Sequence, residues 1–351
     1  MWIEYYEYKK GRISIFIIKK RMICSIVAVM LVLPLLLSGC TAQNQSDTQT
    51  PKEVSETEKR VITLGQSGSL CQAALLMAYE KGFLEQEGFE VNLLKGDYPT
   101  LRDGLASGKV DVTDGFLMSW LKPVEAGLDL VFTTGVHTGC LAAVVLNDSD
   151  YKGFSDLKGK TIGVSGGIGG VPMNFAYRAL YKEGLDNADY EWRDYPAPQL
   201  LAALEKGEIQ AAVTTEHVSF AWIDSGKARL IRSSTYDDDF KDEYCCLLTF
   251  RGELARNEPE VVEAVTRAVM KATEWVANNK EETVDILVEK GYVMGTKEYN
   301  LKLLHGYDYL ADVDGARTRE SLEIAIKEMK ATGILDEATD ESKLLERIFF
   351  D

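Results

Sequence analysis

A histidine and a cysteine close together in the sequence suggest metal or ligand chemistry. His137 and Cys140 are separated by Thr138 and Gly139. Imidazole nitrogen and thiolate sulfur are ligands of transition metals. The residues with comparable donor atoms are Cys71, Met118, His137, Cys140, Glu216 and His217. Their spacing does not place them on one element, so a metal or metal-chelate site, hydrogen bonding to an organic ligand and a purely structural role all stay open.

The cysteines allow more than one interpretation. Cys71, Cys140, Cys245 and Cys246 follow the first forty residues, and four cysteines permit three complete pairings. Adjacent residues of a strand point to opposite faces, so Cys245 and Cys246 are poor partners for each other. Buried free thiols are the alternative to a disulfide. The sequence has no CxxC, HExxH or nucleophile–His–Asp motif. We therefore expect no structural zinc ribbon, no cofactor and no enzymatic activity.

A glycine-rich turn has the composition of an anion site. Ser165, Gly166 and Gly167 open this turn, and a predicted helix begins at Pro172. The N-terminus of a helix presents free N–H groups that bind carboxylate, sulfonate or phosphate. A flexible turn between strand and helix is the alternative. The turn lacks the Gly-x-x-x-x-Gly-Lys-Ser/Thr pattern, which excludes a nucleotide P-loop.

Alternating strands and helices must position these residues. Strand patterns at 61–64, 89–94 and 110–113 alternate with helical patterns, and the alternation restarts at 161–164. This pattern predicts an α/β protein with mainly parallel sheets in two similar lobes. Ligands of open α/β sheets bind beyond the carboxyl ends of the strands. The predicted ligand-binding residues at these ends are Gln66, Ser67, Ser69, Phe116, Met118, His137, Thr138, Ser165, Gly166, Gly167, Thr215, Glu216 and His217.

Composition and charge indicate an acidic globular protein. The chain has 351 residues, of which 46% are hydrophobic, and its 39 basic and 55 acidic residues give a net charge of −16. The apolar content is sufficient for a large core, and the length suits two domains or one large one. An acidic chain is poorly suited to phosphate backbones, so we expect no nucleic-acid partner.

The first forty residues have the composition of an export signal. A basic leader precedes the apolar stretch 22–37, and the sequence Leu37-Ser38-Gly39-Cys40 resembles a bacterial lipobox. Residues 1–40 are therefore predicted to be a lipoprotein signal peptide, with Cys40 as the lipidated residue. Met22 is an alternative start. Residues 41–59 are polar and predict a flexible linker, so the protein would be held on the extracytoplasmic face of the cell membrane.

Four segments in consistent order resemble the NitT/TauA/SsuA-type solute-binding proteins of ABC importers. These segments are Ile62–Leu94, Leu105–Val112, Asp156–Val164 and Ala203–Val213. The resemblance implies the type II periplasmic-binding-protein fold, in which two lobes are joined by two crossing strands and hold the ligand between them. The implied lobes are residues 60–140 with 245–351, and residues 141–244.

The resemblance also implies a function. A monomeric, lipid-anchored receptor would capture a small organic solute of the sulfonate, nitrate, taurine or pyrimidine-precursor class. Closure of the lobes would then present the solute to an ABC permease and its ATPase. Two alternatives stay open. One is a metal or metal-chelate receptor that uses His137 and Cys140, and the other is an enzyme similar to thiamine-pyrimidine synthase, whose cysteine-rich signature Cys245-Cys246 matches only as a fragment.

Overall fold

The computed structural model describes residues 59–350. The predicted signal peptide of residues 1–40, its lipidated Cys40 and the predicted linker of residues 41–59, apart from Lys59, therefore lie outside the described residues. Within the described part of the chain, no helix combines the length and the apolar character that a membrane span requires.

Residues 59–350 form two five-stranded sheets surrounded by helices. The strands are β1 (Arg60–Gln66), β2 (Phe89–Lys95), β3 (Val112–Phe116), β4 (Leu130–Thr138), β5 (Leu141–Leu146), β6 (Thr161–Val164), β7 (Glu191–Asp194), β8 (Ala211–Thr215), β9 (Ala228–Ser233) and β10 (Tyr244–Arg251). The α-helices of the described region are α1 (Ala73–Glu80), α2 (Phe83–Gln86), α3 (Tyr98–Ala106), α4 (Leu117–Glu125), α5 (Val171–Lys182), α6 (Ala197–Glu205), α7 (Glu216–Asp224), α8 (Gly252–Asn257), α9 (Pro259–Asn278), α10 (Lys280–Glu289), α11 (Lys297–Gly306), α12 (Ala316–Ala331) and α13 (Glu341–Ile348).

The two sheets have corresponding topologies. The first has the strand order β2-β1-β3-β10-β4, and the second has the order β7-β6-β8-β5-β9. Strands β1 and β6 each run parallel to both of their neighbours. Strands β10 and β5 each run antiparallel to both of theirs. Four strands of each sheet therefore run in one direction and a single strand runs against them, so the expectation of mainly parallel sheets is confirmed. The opposed strand is the one that the chain enters from the other sheet.

The chain passes between the sheets at two places. Residues 139 and 140 alone join β4 to β5, and residues 234–243 join β9 to β10. Gly139 and Cys140 both have positive φ angles, +91° and +89°. A glycine adopts this conformation freely, whereas a cysteine is strained there. The first crossing is therefore short and held in an unfavourable backbone conformation.

The interior of the first sheet positions the site. All five residues of β3 are buried, including Asp114. Strand β4 is buried from Phe132 to Thr138, so it carries His137 into the interior as well. Because β10 lies antiparallel between β3 and β4, its amino-terminal end meets their carboxyl ends. Residues from these three strands therefore converge at one edge of the first sheet.

Candidate functional site

Asp114 is a buried carboxyl group without a hydrogen-bond partner. Its side chain lies in the interior, and neither carboxylate oxygen has a partner among the described residues. Burial raises the pKa of Asp114 to about 7, since transfer from water penalises the charged form. Gln72 lies beside it and donates from Nε2 to the backbone oxygen of Asp114 at 3.3 Å. Asp114 is therefore a carboxyl group that can exchange a proton near neutral pH and accept further hydrogen bonds.

Other buried polar atoms lie around Asp114. The hydroxyl of Tyr98 and Nε1 of Trp120 are buried and have no partner among residues 59–350. Both flank Gly115, because a Cβ atom there would lie 3.0 Å from Tyr98 Cε1 and 3.1 Å from Trp120 Nε1. Phe116 completes the group, with its ring centroid 5.5 Å from that of Tyr98. Since buried polar groups are nearly always hydrogen-bonded, such a group of unpartnered atoms beside aromatic rings is typical of a polar ligand site.

A thiol–imidazole cluster lies at the same edge of the sheet. It comprises Cys71, His137, Cys140 and Cys246, each of which offers one donor atom, and these atoms all lie within 4.8 Å of one another. All four residues are buried. Cys245 lies next to this cluster, with its sulfur 2.9 Å from that of Cys140. The cysteines of the described region are free thiols.

His137 is held in a defined orientation. Its Nδ1 is 2.8 Å from the carbonyl oxygen of Thr138. Because a carbonyl only accepts, Nδ1 donates and Nε2 is left buried without a partner in the described region. Tyr307 and Tyr309 cover the imidazole, with ring centroids 5.1 and 5.3 Å away. Burial lowers the pKa of His137, but the combined effects of Cys71, Cys245 and the Thr138 carbonyl outweigh this effect and raise that pKa to about 9.

The thiols share protons with one another. Hydrogen bonds from Cys140 and Cys246 hold the pKa of Cys71 well below the ordinary value of a thiol. Burial opposes ionisation of Cys245, yet hydrogen bonds from Cys140 and Cys246 lower its pKa to about 5. Burial raises the pKa of Cys140 and of Cys246 well above the ordinary range. Hydrogen bonds between the thiols therefore favour ionisation of Cys71 and Cys245, whereas burial disfavours ionisation of Cys140 and Cys246.

Glu216 holds the first crossing in place. Its carboxylate accepts hydrogen bonds from Thr235 Oγ1 at 2.7 Å and from Ser233 Oγ at 2.8 Å. Thr235 Oγ1 also accepts from the backbone N–H of Cys140 at 3.2 Å. Burial raises the pKa of Glu216 to about 7, and the two hydroxyl groups oppose that rise. These bonds fix the position of the strained Cys140 backbone.

The structure brings part of the predicted site together. Gln66, Phe116, His137 and Thr138 lie at the edge that contains Asp114, and Gln66 Oε1 is another buried atom without a partner in the described residues. Ser67 and Ser69 stabilise the local backbone instead. Ser67 Oγ donates to Gln72 Oε1 at 2.9 Å, and Ser69 Oγ accepts from the backbone N–H of Cys71 at 3.2 Å.

The remaining predicted residues lie in the second sheet or between the two sheets. The oxygen of Met118 accepts from Nδ2 of Asn174 in α5 at 3.2 Å, and Ser165 forms a hydroxyl pair with Thr214 at 2.8 Å. Gly166 belongs to the loop before α5, and Thr215 is the last residue of β8, directly before α7.

Two of the predicted ligand residues have other partners. The N–H of Gly167 donates to Asp194 Oδ1 at 2.8 Å, so the glycine-rich turn already binds a carboxylate of this chain. The ring of His217 packs 5.4 Å from that of Tyr299 and does not belong to the thiol–imidazole cluster.

Sequence reasoning did not select several residues of the site. Asp114 belongs to β3 itself, whereas the predicted strand ends at residue 113. Tyr98 begins α3, and Tyr307 and Tyr309 follow α11. Nothing in the local pattern of these tyrosines indicates that they meet strands that are distant in the sequence. Only the tertiary fold brings Tyr98 to Asp114 and brings Tyr307 and Tyr309 to His137.

Solved structures with a similar fold are solute-binding proteins. The nitrate-binding protein NrtA of Synechocystis has a TM-score of 0.68 at 19% identity, covering 83% of this chain and 86% of that one. The alkanesulfonate-binding protein SsuA of Xanthomonas axonopodis, bound to MOPS, has a TM-score of 0.66 at 17% identity, covering 83% of this chain and 99% of that one. The two-lobe type II fold and the resemblance to SsuA-type proteins are confirmed.

Relatives found by sequence are named for thiamine and pyrimidine synthesis rather than for solute binding. A Haemophilus influenzae protein named for thiamine biosynthesis is 34% identical over 34% of this chain and 38% of its own length. The 4-amino-5-hydroxymethyl-2-methylpyrimidine phosphate synthase of Aspergillus parasiticus is 27% identical over 64% of this chain and 68% of its own length. This chain therefore matches only about two fifths of the length of the Haemophilus influenzae protein. The expectation of no enzymatic activity is wrong on this evidence, because relatives of the chain are named as a synthase.

The family itself follows from a match that covers more than half of the chain. Residues 71–283 match the family model described as NMT1/THI5 like. This segment begins at Cys71 and includes His137, Cys140 and both cysteines of β10. The chain belongs to the NMT1/THI5-like family.

Proposed function

We propose that this chain is the solute-binding protein of an ABC importer and that its solute is a small aminopyrimidine. The single observation that carries the choice of solute is Asp114, a buried carboxyl group with two unpartnered oxygens. The family and the names of the relatives support the pyrimidine class. The folds of the solved neighbours support the importer role.

The carboxyl group of Asp114 matches the hydrogen-bonding edge of an aminopyrimidine. One oxygen can accept from the exocyclic amine, and the other can share a proton with the adjacent ring nitrogen. A pKa of about 7 for Asp114 suits this arrangement, because the proton can reside on either partner near neutral pH. A sulfonate or nitrate offers only acceptor oxygens and would be repelled by the ionised carboxylate.

Aromatic side chains supply the second element of recognition. Tyr98 and Phe116 lie beside Asp114 with their rings inclined at 55°. A flat heteroaromatic ring gains contact area against such faces. The unpartnered hydroxyl of Tyr98 and Nε1 of Trp120 add hydrogen-bonding capacity at the same place. These groups favour a neutral, planar solute with polar substituents.

Delivery of the solute would use the two lobes. In this proposal residues 60–140 with 245–351 form the lobe that holds Asp114, and residues 141–244 form the lobe that closes over it. Asn174 and Arg178 of α5 already contact the first lobe. A ligand that binds the closed state more tightly shifts the equilibrium toward closure. The anchor at Cys40, the monomeric state and the permease with its ATPase complete the proposed importer.

A second candidate is synthesis of a pyrimidine phosphate by the chain itself. The names of the curated relatives favour it, as does the thiol–imidazole cluster beside Asp114. Growth of a bacterial strain unable to make this pyrimidine separates the two candidates. Import by the full-length chain and its permease restores growth only when the pyrimidine is supplied at low concentration. Synthesis restores growth with none supplied.

Calorimetry on the purified full-length protein tests the choice of solute. We expect 4-amino-5-hydroxymethyl-2-methylpyrimidine to bind with 1:1 stoichiometry, and taurine and nitrate to give no heat. Asp114→Asn should weaken the binding at least tenfold. The control is Asp103→Asn, which changes an exposed carboxylate on α3. Equal affinity in wild type and Asp114→Asn, or tighter binding of taurine, would refute the proposed solute class.

A further inference from the structure

We propose that Cys71, His137, Cys140 and Cys246 form a closed tetrahedral site for a borderline-soft divalent cation, of which Zn²⁺ fits best. Three thiolates and one imidazole are a common ligand set of structural zinc. The site does not depend on the proposed solute, because its donors are the thiol–imidazole cluster rather than Asp114.

The spacing of the donor atoms suits a single ion. A Zn–S bond of about 2.3 Å places the sulfur atoms of a tetrahedron about 3.8 Å apart. The four donor atoms lie within 4.8 Å of one another, so a contraction of at most about 1 Å brings them to that geometry. The donors therefore already converge on one point.

The chemistry of His137 supports the site independently of distance. Metal-bound histidines usually donate their second ring N–H to a carbonyl or carboxylate, which fixes the tautomer. His137 makes this bond from Nδ1 to Thr138, and its buried Nε2 has no partner in the described region. Nε2 is therefore the ring nitrogen available to a metal ion, which would take the place of any proton there. Tyr307 and Tyr309 exclude water from the ring.

The backbone of Cys140 supplies a third argument. Its φ of +89° is strained for a residue with a Cβ atom. Thr235 and Glu216 hold this conformation through hydrogen bonds to both sides of the residue, since Glu216 N–H donates to the Cys140 oxygen at 2.8 Å. Strained residues often occur at functional sites. Here the strained residue carries a thiol that lies with the other three donors.

Cys245 provides a matched control within the same cluster. Its sulfur is 2.9 Å from Cys140, yet it does not belong to the group of four donors. Substitution of Cys245 therefore changes a thiol in the same surroundings without removing a ligand. A disulfide between Cys140 and Cys245 would consume one ligand and is the competing state.

Metal analysis of the reduced full-length protein tests the site. We expect one Zn²⁺ per chain after dialysis, and Co²⁺ substitution should give the ligand-field bands of a tetrahedral ion with thiolate charge transfer. Cys71→Ser, Cys140→Ser, Cys246→Ser and His137→Ala should each weaken Zn²⁺ binding at least a hundredfold, whereas Cys245→Ser should retain it. Asp114→Asn should also retain Zn²⁺, which separates this site from the proposed solute site.

Three results would overturn the proposal. The first is folded, reduced wild-type protein that holds no Zn²⁺ and gives no cobalt–thiolate absorption. The second is equal loss of Zn²⁺ from Cys245→Ser and Cys140→Ser. The third is a Cys140–Cys245 disulfide in the protein as isolated from cells, detected by mass spectrometry of unreduced peptides. The cobalt spectrum of the wild type keeps the test decisive even if a ligand variant fails to fold.

Discussion

The backbone N–H of Glu216 donates a hydrogen bond of 2.8 Å to the carbonyl oxygen of Cys140. This bond joins the start of α7, beside the second sheet, to the two-residue crossing that follows β4. The side chain of the same glutamate accepts hydrogen bonds from Thr235 of the other crossing and from Ser233 at the end of β9. One residue therefore fixes both connections between the sheets, at the point where the thiol–imidazole cluster forms.

Replacement of Glu216 should destabilise the protein without any contact to a solute. Glu216→Leu removes the acceptor of two buried hydroxyl groups, and each unsatisfied group costs about 1–3 kcal/mol. We expect the free energy of unfolding in urea to fall by about 2–4 kcal/mol. Glu205→Leu, on an exposed face of α6, should change it by less than about 0.5 kcal/mol. Equal stability of the two variants would mean that Glu216 does not hold the crossings.

Asp114→Asn should stabilise the empty protein at high pH. The pKa of Asp114 is about 7 in the folded state and 3.8 in the reference state. The folded protein therefore binds a proton more tightly, and this contribution to stability is lost as pH rises from about 4 to about 7. Above pH 7 the amide avoids burial of a charge, so we expect a gain on the order of 2 kcal/mol.

The pH dependence identifies the cause of that gain. At pH 5, Asp114 of the folded wild type is protonated and only part of this contribution is lost, so the two proteins should differ less in melting temperature than at pH 8. Cys71 and His137, the charged groups that act on Asp114, are present in both variants and cancel in the comparison. A stability gain of the same size at pH 5 and pH 8 would contradict an uncharged Asp114 at the lower pH.

Gly135→Ala should disturb the strand that carries His137. A Cβ atom at Gly135 would lie 2.1 Å from Cγ of Tyr244, closer than any real contact. Overpacking of this kind typically costs about 1–3 kcal/mol, and here β4 or β10 must shift. Gly153→Ala is the control, since nothing lies within 4 Å of a Cβ there. Thermal melting that is unchanged in Gly135→Ala would show that the Tyr244 ring moves freely.

The limits of sequence reasoning are visible in particular residues. The alternation of strands and helices, together with four segments that resemble the family, was sufficient to predict the two-lobe fold. The rule on strand ends correctly placed Gln66, Phe116 and His137 at one edge. It could not indicate that β10 inserts between β3 and β4, which brings Cys246 beside His137. Register irregularities of β10 between Tyr244 and Leu247 have no local signature either.

Arg178 should be among the most costly residues to replace. Its guanidinium group is buried in α5 and lies 2.5 Å from Glu243 and 2.7 Å from Glu328 of α12. Burial lowers its pKa, but the charges of these two glutamates raise it above the ordinary value. Lys182 contacts the same carboxylates, so Arg178→Met leaves one cation for the half-buried Glu243 and the buried Glu328. Loss of one partner of a buried ion pair costs about 3–5 kcal/mol.

A second substitution distinguishes loss of charge balance from loss of packing. In Arg178→Met/Glu328→Gln, Lys182 again faces a single carboxylate, so we expect about half of the lost stability to return. Arg193→Met removes an exposed arginine from β7 and should have little effect. Both measurements use urea unfolding of the full-length chain. If the double variant is less stable than Arg178→Met, the guanidinium group contributes mainly through its contact with Phe240, whose ring centroid is 5.2 Å away.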